Sequence, residues 1–285
     1  MAENDRGKRV ALVTGGLRGL GRAMSLALAA AGYPTVAVGH IESDVAEIEG
    51  EAEKLRVGRH FQPLVADLRD AGECDRVVAT AAERFGRVDI LVNNAGLTFT
   101  YIDPARFRRD SLQRFWQVGD EIVENVIATN YLVADRLSRR VAPAMVERGW
   151  GRIVNVTTKL DTMNRTGTHP YGASKAALEL ATEVWAKDAD GSGLTVNIVN
   201  PGAGANTPGM AEEMRRASRE GRVPRLVEPQ QMVPPLLFVV SREADGINGW
   251  RFDANLWEPA LPAAEAAWLA GRPAGFILHP YRDLP

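Results

Sequence analysis

The chain has 285 residues, with 34 Lys and Arg against 36 Asp and Glu, and its net charge is -2. This length can bury a large core without disulfides or metal, and the balanced charge indicates neither nucleic acid nor an anionic membrane surface as a partner. The single cysteine, Cys74, cannot form an internal disulfide, and the polar start MAENDRGKR is neither a secretory signal nor a membrane span. We therefore expect a cytoplasmic protein that acts on a small molecule.

Short β-branched runs alternate along the chain with longer alanine-rich stretches of helical spacing. The runs cover residues 9–15, 35–39, 61–67, 88–94, 151–157 and 194–200. Runs that are apolar on both faces are typical of a parallel sheet covered by helices on each side. The pattern therefore predicts an α/β fold with a doubly wound, mainly parallel sheet.

The predicted organisation is one catalytic domain over residues 1–256, followed by a tail over residues 257–285. A last strand is expected near Trp250 to Ala254, and a short helix at 262–270. The tail carries Trp268, Phe276 and Tyr281, so we expect it to pack on the domain or on a neighbouring subunit.

The first strand is followed by TGGLRGLGRAMSLALAAAG, in which Gly15, Gly19 and Gly21 open directly into a predicted helix. Glycines at such a turn let the backbone approach a pyrophosphate, and the free N–H groups at the helix N-terminus attract its charge. Simple packing of a strand on a helix is the alternative. The strand–loop–helix context favours a dinucleotide site.

Tyr171 and Lys175 lie four residues apart in HPYGASKAALE, a run that reads as helix, so their side chains share one face. A fixed cation beside a phenol favours the phenolate and lowers the pKa of the phenol. Such a tyrosine could transfer a proton. Taken alone, the pair could equally be a half-buried ring beside a solvated amine.

Six motifs in order give the chain a resemblance to the short-chain dehydrogenase/reductase family, whose fold is a Rossmann-type sheet. TGxxxGxG is matched from Thr14 to Gly21, NNAG from Asn93 to Gly96, and YxxxK by Tyr171 and Lys175. The remaining matches are Asp67, Asn130, Thr158, Pro201, Gly202 and Thr207. Within or beside the motifs, the residues Leu20, Leu68, Asn94 and Ala95 are also expected to contact the cofactor.

The resemblance implies roles for these residues. Tyr171 would exchange the proton, Thr158 would orient the substrate oxygen, and Lys175 would hold the nicotinamide ribose and lower the pKa of Tyr171. Asn130 would fix a water that links Lys175 to solvent. Asp67 would contact the adenine, Pro201 and Gly202 would face the nicotinamide, and Thr207 would contact the cofactor beyond.

Two features depart from the family pattern. Thr158 stands where the family usually has serine; it keeps the hydroxyl and adds a methyl group. The sequence TTK offers two adjacent hydroxyls, and we expect Thr158 to be the active one; the alternative is that Thr158 is a strand-end residue and Thr157 merely packs. The segment 97–129 is longer than usual and carries aromatic side chains that could belong to the core, to a substrate wall or to an oligomer surface. These are Phe99, Tyr101, Phe107, Phe115 and Trp116.

The choice of cofactor depends on the charge near the adenosine ribose. After the second strand the chain has Gly39 and His40 rather than an acidic residue, and Arg18 precedes Gly19 in the glycine loop. In the family this arginine position favours NADP, whereas Glu42 could instead select NAD. We expect NADP, with NAD possible, and none of the histidines has metal-ligand spacing.

The resulting hypothesis is an NAD(P)-dependent oxidoreductase that interconverts a secondary alcohol and a ketone or aldehyde. The alternatives are NADPH-dependent reduction of a C=N or activated C=C bond, and a sensor or scaffold that binds NADP without turnover. A lid is expected from residues 203–231, and family habit implies a dimer or tetramer.

Overall fold

A single, mainly parallel sheet organises the chain. The computed structural model describes residues 9–108 and 111–276, and within them the sheet has eight strands in the order β3-β2-β1-β4-β5-β6-β7-β8. Their bounds are β1 Ala11–Thr14, β2 Thr35–Gly39, β3 Phe61–Val65, β4 Ile90–Asn93, β5 Gly151–Asn155, β6 Leu194–Asn200, β7 Trp250–Asp253 and β8 Gly271–Pro273.

The direction in which strands are added to the sheet reverses at β1, which lies between β2 and β4. Leu12 on β1 pairs in parallel register with Val36 on β2 and with Leu91 on β4. Chain connections leave towards opposite faces of the sheet at such a point, which leaves a crevice at the carboxyl edge of the sheet. The predicted doubly wound α/β class is confirmed.

Helices cover both faces of the sheet, as the apolar strands require. The helices are α1 Gly19–Ala30, α2 Asp44–Lys54, α3 Ala71–Phe85, α4 Phe99–Ile102, α5 Asp120–Ile127, α6 Val133–Glu147, α7 Leu160–Met163, α8 Tyr171–Asp188, α9 Glu212–Arg219, α10 Val233–Val239 and α11 Ala263–Ala270. One core joins α1, α10 and α11 to the sheet, and a second joins α3, α6 and α8 to its other face.

Residues after Trp257 continue the same body of structure. Helix α11 buries Ala266, Ala267 and Ala270, and β8 pairs antiparallel with β7. Strand β8 is too short to be recognised in the sequence, and it contains Pro273, which edge strands tolerate. Tyr281 and the rest of the tail beyond residue 276 lie outside the described residues.

The described part of the chain contains no helix with the length and hydropathy needed to span a bilayer. Within residues 9–108 and 111–276 there is also no group of three or more His, Cys, Asp or Glu side chains arranged to hold a metal ion. Cys74 is buried on α3, its thiol donates to the carbonyl of Leu68, and burial raises the pKa of the thiol.

Candidate active site

The four residues predicted to be catalytic meet at the carboxyl edge of the sheet. Thr158 follows β5, Tyr171 and Lys175 lie in the first two turns of α8, and Asn130 lies in a π-helical turn, Ala128–Leu132, between α5 and α6. All but Tyr171 are at least nine-tenths buried. Each therefore has a defined side-chain environment.

Tyr171 is hydrogen-bonded to Thr158 through its phenol. Burial raises the pKa of Tyr171 above its usual value, and the hydrogen bond from Thr158 opposes this rise. The expected lowering of the Tyr171 pKa by Lys175 is therefore wrong in this structure. The physical reason is that desolvation of the phenol is the larger effect and Thr158, rather than Lys175, is the group that favours the phenolate.

Lys175 is buried and its ammonium is directed at the backbone. Its Nζ donates to the carbonyl of Val156 at 2.8 Å. A Cβ on Gly96 would lie 3.5 Å from Nζ and 3.4 Å from Oδ1 of Asn130, so the NNAG loop passes directly over both side chains. Burial lowers the pKa of Lys175 to about 8, because a desolvated ammonium is costly.

Asn130 uses its amide to join three segments. Its Oδ1 accepts from the backbone N–H of Leu97 at 2.7 Å, and its Nδ2 donates to the carbonyl of Leu97 at 3.1 Å and to Oγ of Ser174 at 3.0 Å. The π-helical turn inserts an extra residue into the helix, a feature that often occurs at functional sites. The turn places Asn130 between the NNAG loop and α8.

The loops after β1 and β4 are held together by Thr14 and Asn94. The hydroxyl of Thr14 accepts from the backbone N–H groups of Asn94 and Ala95, both at 3.0 Å. In return, Nδ2 of Asn94 donates to the carbonyls of Thr14 at 2.9 Å and Gly15 at 3.1 Å. These bonds set the width of the crevice at the point where the strand order reverses.

Three glycines of the first loop are required by positive φ or by close packing. Gly15 has φ +60°, and a Cβ on Gly21 would lie 2.0 Å from the carbonyl oxygen of Gly15. Gly19 also has positive φ, and a Cβ there would be 3.3 Å from Cβ of Thr207. Thr207 therefore lies over the glycine loop, and the adjacent Leu20 packs against the core on the inner side.

A cavity of about 170 Å³ lies beside this loop and is lined by five of the predicted cofactor residues. These residues are Gly15, His40, Asp67, Leu68 and Ala95. Arg69 also lines the cavity, and its guanidinium binds the Asp67 carboxylate, with the closest contact at 2.6 Å. This ion pair lowers the pKa of Asp67, so the aspartate does not face the cavity as an isolated acceptor.

Arg18 lies on the other side of the glycine loop from His40. It lines a larger cavity of about 790 Å³ between α1, α2 and residues 206–233, which none of the four predicted catalytic residues lines. Its Nη1 is 3.8 Å from Oδ2 of Asp44, at the start of α2. The charge of Arg18 is therefore partly balanced within the protein, and Glu42 is exposed.

Pro201 and Gly202 follow β6 and are buried. Gly202 has φ +72°, and a Cβ on it would lie 1.7 Å from Oδ1 of Asn255, so only glycine fits. The backbone N–H of Gly202 donates to Oδ1 of Asn200 at 2.8 Å. The loop is thus held in one conformation next to the catalytic face of the sheet.

Described residues of segment 97–129 contact the segment 203–231 that is predicted to form a lid. The hydroxyls of Thr98 and Thr100 both donate to the carbonyl of Gly209 at 2.8 Å, and Arg108 forms a 3.0 Å ion pair with Glu213 on α9. The predicted lid and the long segment therefore form one covering layer.

The aromatic side chains of segment 97–129 divide into two groups. The Phe99 ring lies 4.7 Å from the Tyr171 ring, centroid to centroid, and the Arg106 guanidinium lies over the Phe99 ring, 4.4 Å from its centroid. Phe115 and Trp116 are instead 65% and 70% exposed. Phe99 therefore meets the expectation of a wall beside the catalytic tyrosine, whereas Phe115 and Trp116 do not belong to the core.

Sequence reasoning missed two contributors: Arg69, and a buried ion pair between Glu179 and Arg251. Glu179 could have been found, because it lies four residues after Lys175 and therefore on the same face of α8. Arg251 could not, because nothing within β7 indicates which charge on a distant helix it meets.

The protein matches a family model described as short chain dehydrogenase over residues 9–218. The chain belongs to this family. It is 32% identical to the 3-oxoacyl-(acyl-carrier-protein) reductase FabG of Thermotoga maritima over 85% of this chain and 94% of that protein. It is also 32% identical to the Escherichia coli FabG over 87% of this chain and 96% of that protein.

Solved structures agree with this family assignment. A variant of the actinorhodin polyketide ketoreductase with NADPH has a TM-score of 0.72 at 26% identity, covering 85% of this chain and 94% of that one. A putative gluconate dehydrogenase from Agrobacterium tumefaciens has a TM-score of 0.72 at 30% identity, covering 87% and 94%. As a short-chain dehydrogenase, the protein is an NAD(P)-dependent oxidoreductase that acts on a C=O or CH–OH group.

Proposed function

We propose that the protein is an NADP-dependent carbonyl reductase in which Tyr171 exchanges the proton. The observation that carries the proposal is the convergence of Thr158, Tyr171 and Lys175: the Thr158 hydroxyl is hydrogen-bonded to the Tyr171 phenol, and the buried Lys175 ammonium lies at the carbonyl of Val156, two residues before Thr158. A phenol and a hydroxyl directed at one point can both bind the oxygen of a carbonyl group.

The residues around the crevice fit a dinucleotide. Gly21 and Gly202 are positions where any Cβ would meet a neighbour within 2.0 Å, and five predicted cofactor residues line a common cavity beside the first of them. Gly15, Gly19 and Thr207 would hold the pyrophosphate, and His40, Asp67, Leu68 and Ala95 the adenosine. When bound, the nicotinamide supplies or accepts hydride.

The side chains of the protein supply proton transfer and placement. Tyr171 donates the proton to the substrate oxygen in reduction and accepts it in oxidation. Thr158 donates a hydrogen bond to the same oxygen, and Phe99 limits the space on the far side of the ring. One N–H of the Lys175 ammonium donates to the carbonyl of Val156, and the other two would hold the nicotinamide ribose. Asn130 keeps the NNAG loop in place above Lys175.

The charges near the crevice favour NADP over NAD. His40 follows β2 where an acidic residue would bind the ribose 2′-hydroxyl and repel a 2′-phosphate. Arg18 precedes Gly19 in the glycine loop and Arg69 lines the cavity with His40; each is paired with a carboxylate, Asp44 and Asp67 respectively, so their positive charge is partly balanced. The related ketoreductase structure with NADPH supports the same choice.

The proposed substrate class is a 3-oxo carbonyl compound. The support comes from the FabG relatives, whose names give 3-oxoacyl-(acyl-carrier-protein) as their substrate. The Phe99 ring beside Tyr171 suits an apolar chain attached to the reacting carbonyl. Arg106, stacked on Phe99, suits a polar or anionic group at the outer end.

Assembly into a dimer or tetramer and a cytoplasmic location stay predictions. Leu180 and Val184 on α8 are 42% and 47% exposed and lie one turn apart, so the helix that carries Tyr171 presents an apolar strip. A second copy of the chain could cover it, which sedimentation of the purified protein would test.

The test of the function is oxidation of NADPH in the presence of a carbonyl panel. The panel contains ethyl acetoacetate, a simple ketone, an aldehyde and a cyclic imine, with gluconate and NADP+ for the reverse direction. Multiple turnovers with ethyl acetoacetate are expected. Turnover of the imine alone would replace the proposal by C=N reduction, and NADPH binding without turnover of any compound would contradict it.

A further inference from the structure

A charged side chain lies fully buried against the backbone of Thr158. Arg251 on β7 has no exposed surface, and its Nη2 donates to the backbone carbonyl of Thr158 at 3.0 Å. The same nitrogen donates to Oδ1 of Asp253 at 3.0 Å. The guanidinium therefore contacts the main chain of the residue whose hydroxyl is hydrogen-bonded to Tyr171.

Glu179 balances this charge from α8. Its Oε2 accepts from Nη1 of Arg251 at 2.8 Å and from the Thr157 hydroxyl at 3.0 Å, and the Glu179 side chain is also fully buried. Glu179 lies four residues beyond Lys175 on the same helix. The ion pair thus joins β7 to the helix that carries the proton-transfer pair and to both threonines after β5.

The same guanidinium is linked to the loop that follows β6. Asp253, which accepts from Arg251, also accepts from Nδ2 of Asn200. Oδ1 of Asn200 in turn accepts from the backbone N–H of Gly202 at 2.8 Å. We call the set Thr157, Glu179, Arg251, Asp253 and Asn200 the Arg251 network; one end of it contacts Thr158 and the other contacts Gly202.

Stability alone is a poor explanation for such a network. Burying two charges is costly, and replacing a buried ion pair by apolar side chains of similar volume is often neutral for stability, whereas removing one partner is strongly destabilising. Nε of Arg251 adds to this cost, because it is buried without a hydrogen-bond partner among the described residues. What the network provides is a fixed spacing between two backbone segments.

We infer that Arg251 is a positioning residue, which holds the Thr158 hydroxyl and the Gly202 loop at a fixed separation across the catalytic face. The inference rests on the proposed function, in which Thr158 binds the reacting oxygen and Gly202 adjoins the nicotinamide. A loose Thr158 carbonyl would let its hydroxyl turn away from Tyr171, and a loose Asn200 would release the loop. Both effects lower the rate without removing any group that touches substrate.

The test compares one double variant and two single variants of the full-length enzyme. Arg251→Met with Glu179→Leu replaces the ion pair by apolar groups; Asp253 then loses one donor but keeps Asn200, and the Thr157 hydroxyl loses its acceptor. Arg251→Lys keeps the charge, but a single ammonium group cannot bind Glu179, Asp253 and the Thr158 carbonyl together as the planar guanidinium does. Arg152→Met is the matched control, because Arg152 is also buried on a strand, 2% exposed in its side chain, but pairs with Asp245 near the opposite end of β5.

Each variant is measured for its melting temperature, its Kd for NADPH, and its kcat and KM for ethyl acetoacetate. The double variant is expected to melt within a few degrees of the parent, to lose at least about tenfold in kcat at similar KM, and to bind NADPH several-fold more weakly. Arg251→Lys is expected to fall between the parent and the double variant. Arg152→Met should lower only the melting temperature.

Parental kcat and NADPH affinity in a folded double variant would overturn the inference, as would an equal loss of kcat in Arg152→Met. If the double variant does not fold, Glu179→Gln decides: it keeps acceptors for Arg251 and Thr157, so kcat should fall less than in Arg251→Lys, and an unchanged kcat in both would overturn the inference. Failure of the proposed function would give a different result, because the parent would then bind NADPH without turnover. The Kd values of the variants for NADPH would still show whether Arg251 positions the Gly202 loop.

Discussion

Thr158 and Tyr171 share a side-chain hydrogen bond, although they belong to different parts of the fold and are thirteen positions apart in sequence. The adjacent Thr157 points the other way and donates to Glu179 at 3.0 Å. The structure therefore separates two neighbouring hydroxyls that look equivalent in the sequence TTK. Thr157 does more than pack, because its hydroxyl donates to a buried carboxylate.

The two threonines should fail in different ways when truncated. Thr158→Ala removes a donor directed at the reacting oxygen, which typically costs on the order of 10²–10³ in kcat. It also removes the hydrogen bond that opposes the raised pKa of Tyr171, so the pH profile of kcat should shift upward. Thr158→Ser keeps the donor and should remain active, with more room for bulky ketones.

Thr157→Ala is the control for this pair. It deprives the buried Glu179 of one donor, so the free energy of unfolding should fall by about 1–3 kcal/mol while kcat stays within a few-fold of the parent. Denaturant unfolding and steady-state kinetics on both variants check the result. A larger loss of kcat in Thr157→Ala than in Thr158→Ala would mean that the active hydroxyl is the other one.

Tyr171→Phe should remove most turnover and leave the Kd for NADPH within a few-fold of the parent. The phenylalanine ring can keep its contact with Phe99 at 4.7 Å, so only the proton donor is lost. Tyr131→Phe is the matched control, because it also removes a phenol hydroxyl. Tyr131 follows Asn130 and lies near Arg139, and the variant should keep full activity. Near-parental kcat in Tyr171→Phe would remove Tyr171 from the mechanism.

Local patterns in the sequence were sufficient for the six strands from β1 to β6, because these strands are apolar on both faces, whereas the four predicted catalytic residues came from the resemblance to the family. Strand β8 was not predicted, because it has only three residues. The direction of the Tyr171 pKa shift was not predictable in this way. It depends on how deeply the phenol is buried and on where Nζ of Lys175 is directed, and both result from packing between α8, β5 and the NNAG loop. The Arg251–Glu179 pair is similarly a product of long-range packing, since it joins residues 72 positions apart.

Because Arg18 lies beside Asp44, substitutions of these two residues should change the preference for NADPH in opposite directions. The parent should bind NADPH more tightly than NADH, with a difference that shrinks at high salt because charge contacts are screened. Arg18→Ala should weaken this preference. Asp44→Asn should strengthen it, because it removes the carboxylate 3.8 Å from the Arg18 guanidinium.

Fluorescence titration of both cofactors at two salt concentrations measures these preferences. Glu73→Gln is the control, since it removes a surface carboxylate on α3 that pairs with Arg76 instead. Tighter binding of NADH than of NADPH by the parent would show that Glu42 determines the choice. An unchanged preference in both Arg18→Ala and Asp44→Asn would assign it to His40 and Arg69.

Lys175 should make the stability of the protein depend on pH in alkaline solution. Its pKa is about 8 in the folded protein and 10.5 as an ordinary side chain, so between these values the unfolded chain binds the extra proton. Stability therefore rises with pH through this window, and the full penalty applies below pH 8. The contribution should change by about 2–3 kcal/mol between pH 7 and pH 10.

The comparison of Lys175→Met with the parent isolates this contribution from other titrating groups. The variant should gain stability relative to the parent at pH 7, and most of this gain should vanish at pH 10. Lys187→Met, on the same helix but 72% exposed and paired with Glu183, should show no such pH-dependent difference. Denaturant unfolding at both pH values gives the answer, and a gain that is equal at both would mean that Lys175 is not desolvated.

Two glycine-to-alanine changes should have opposite effects on stability because their surroundings differ. A Cβ on Gly21 would lie 2.0 Å from the carbonyl oxygen of Gly15 and 2.5 Å from Nδ2 of Asn94, so the glycine loop or the loop after β4 must move. Gly21→Ala should therefore lower the free energy of unfolding by about 1–3 kcal/mol and weaken NADPH binding. Gly50 lies inside α2, where an added Cβ would have no neighbour within 4 Å, and Gly50→Ala should stabilise the helix by about 0.5–1 kcal/mol without changing NADPH affinity. Equal melting temperatures and equal NADPH affinities for the two variants would show that the glycine loop can move aside without cost, and the close approach of Gly21 to Gly15 would then have no role in shaping the cofactor site.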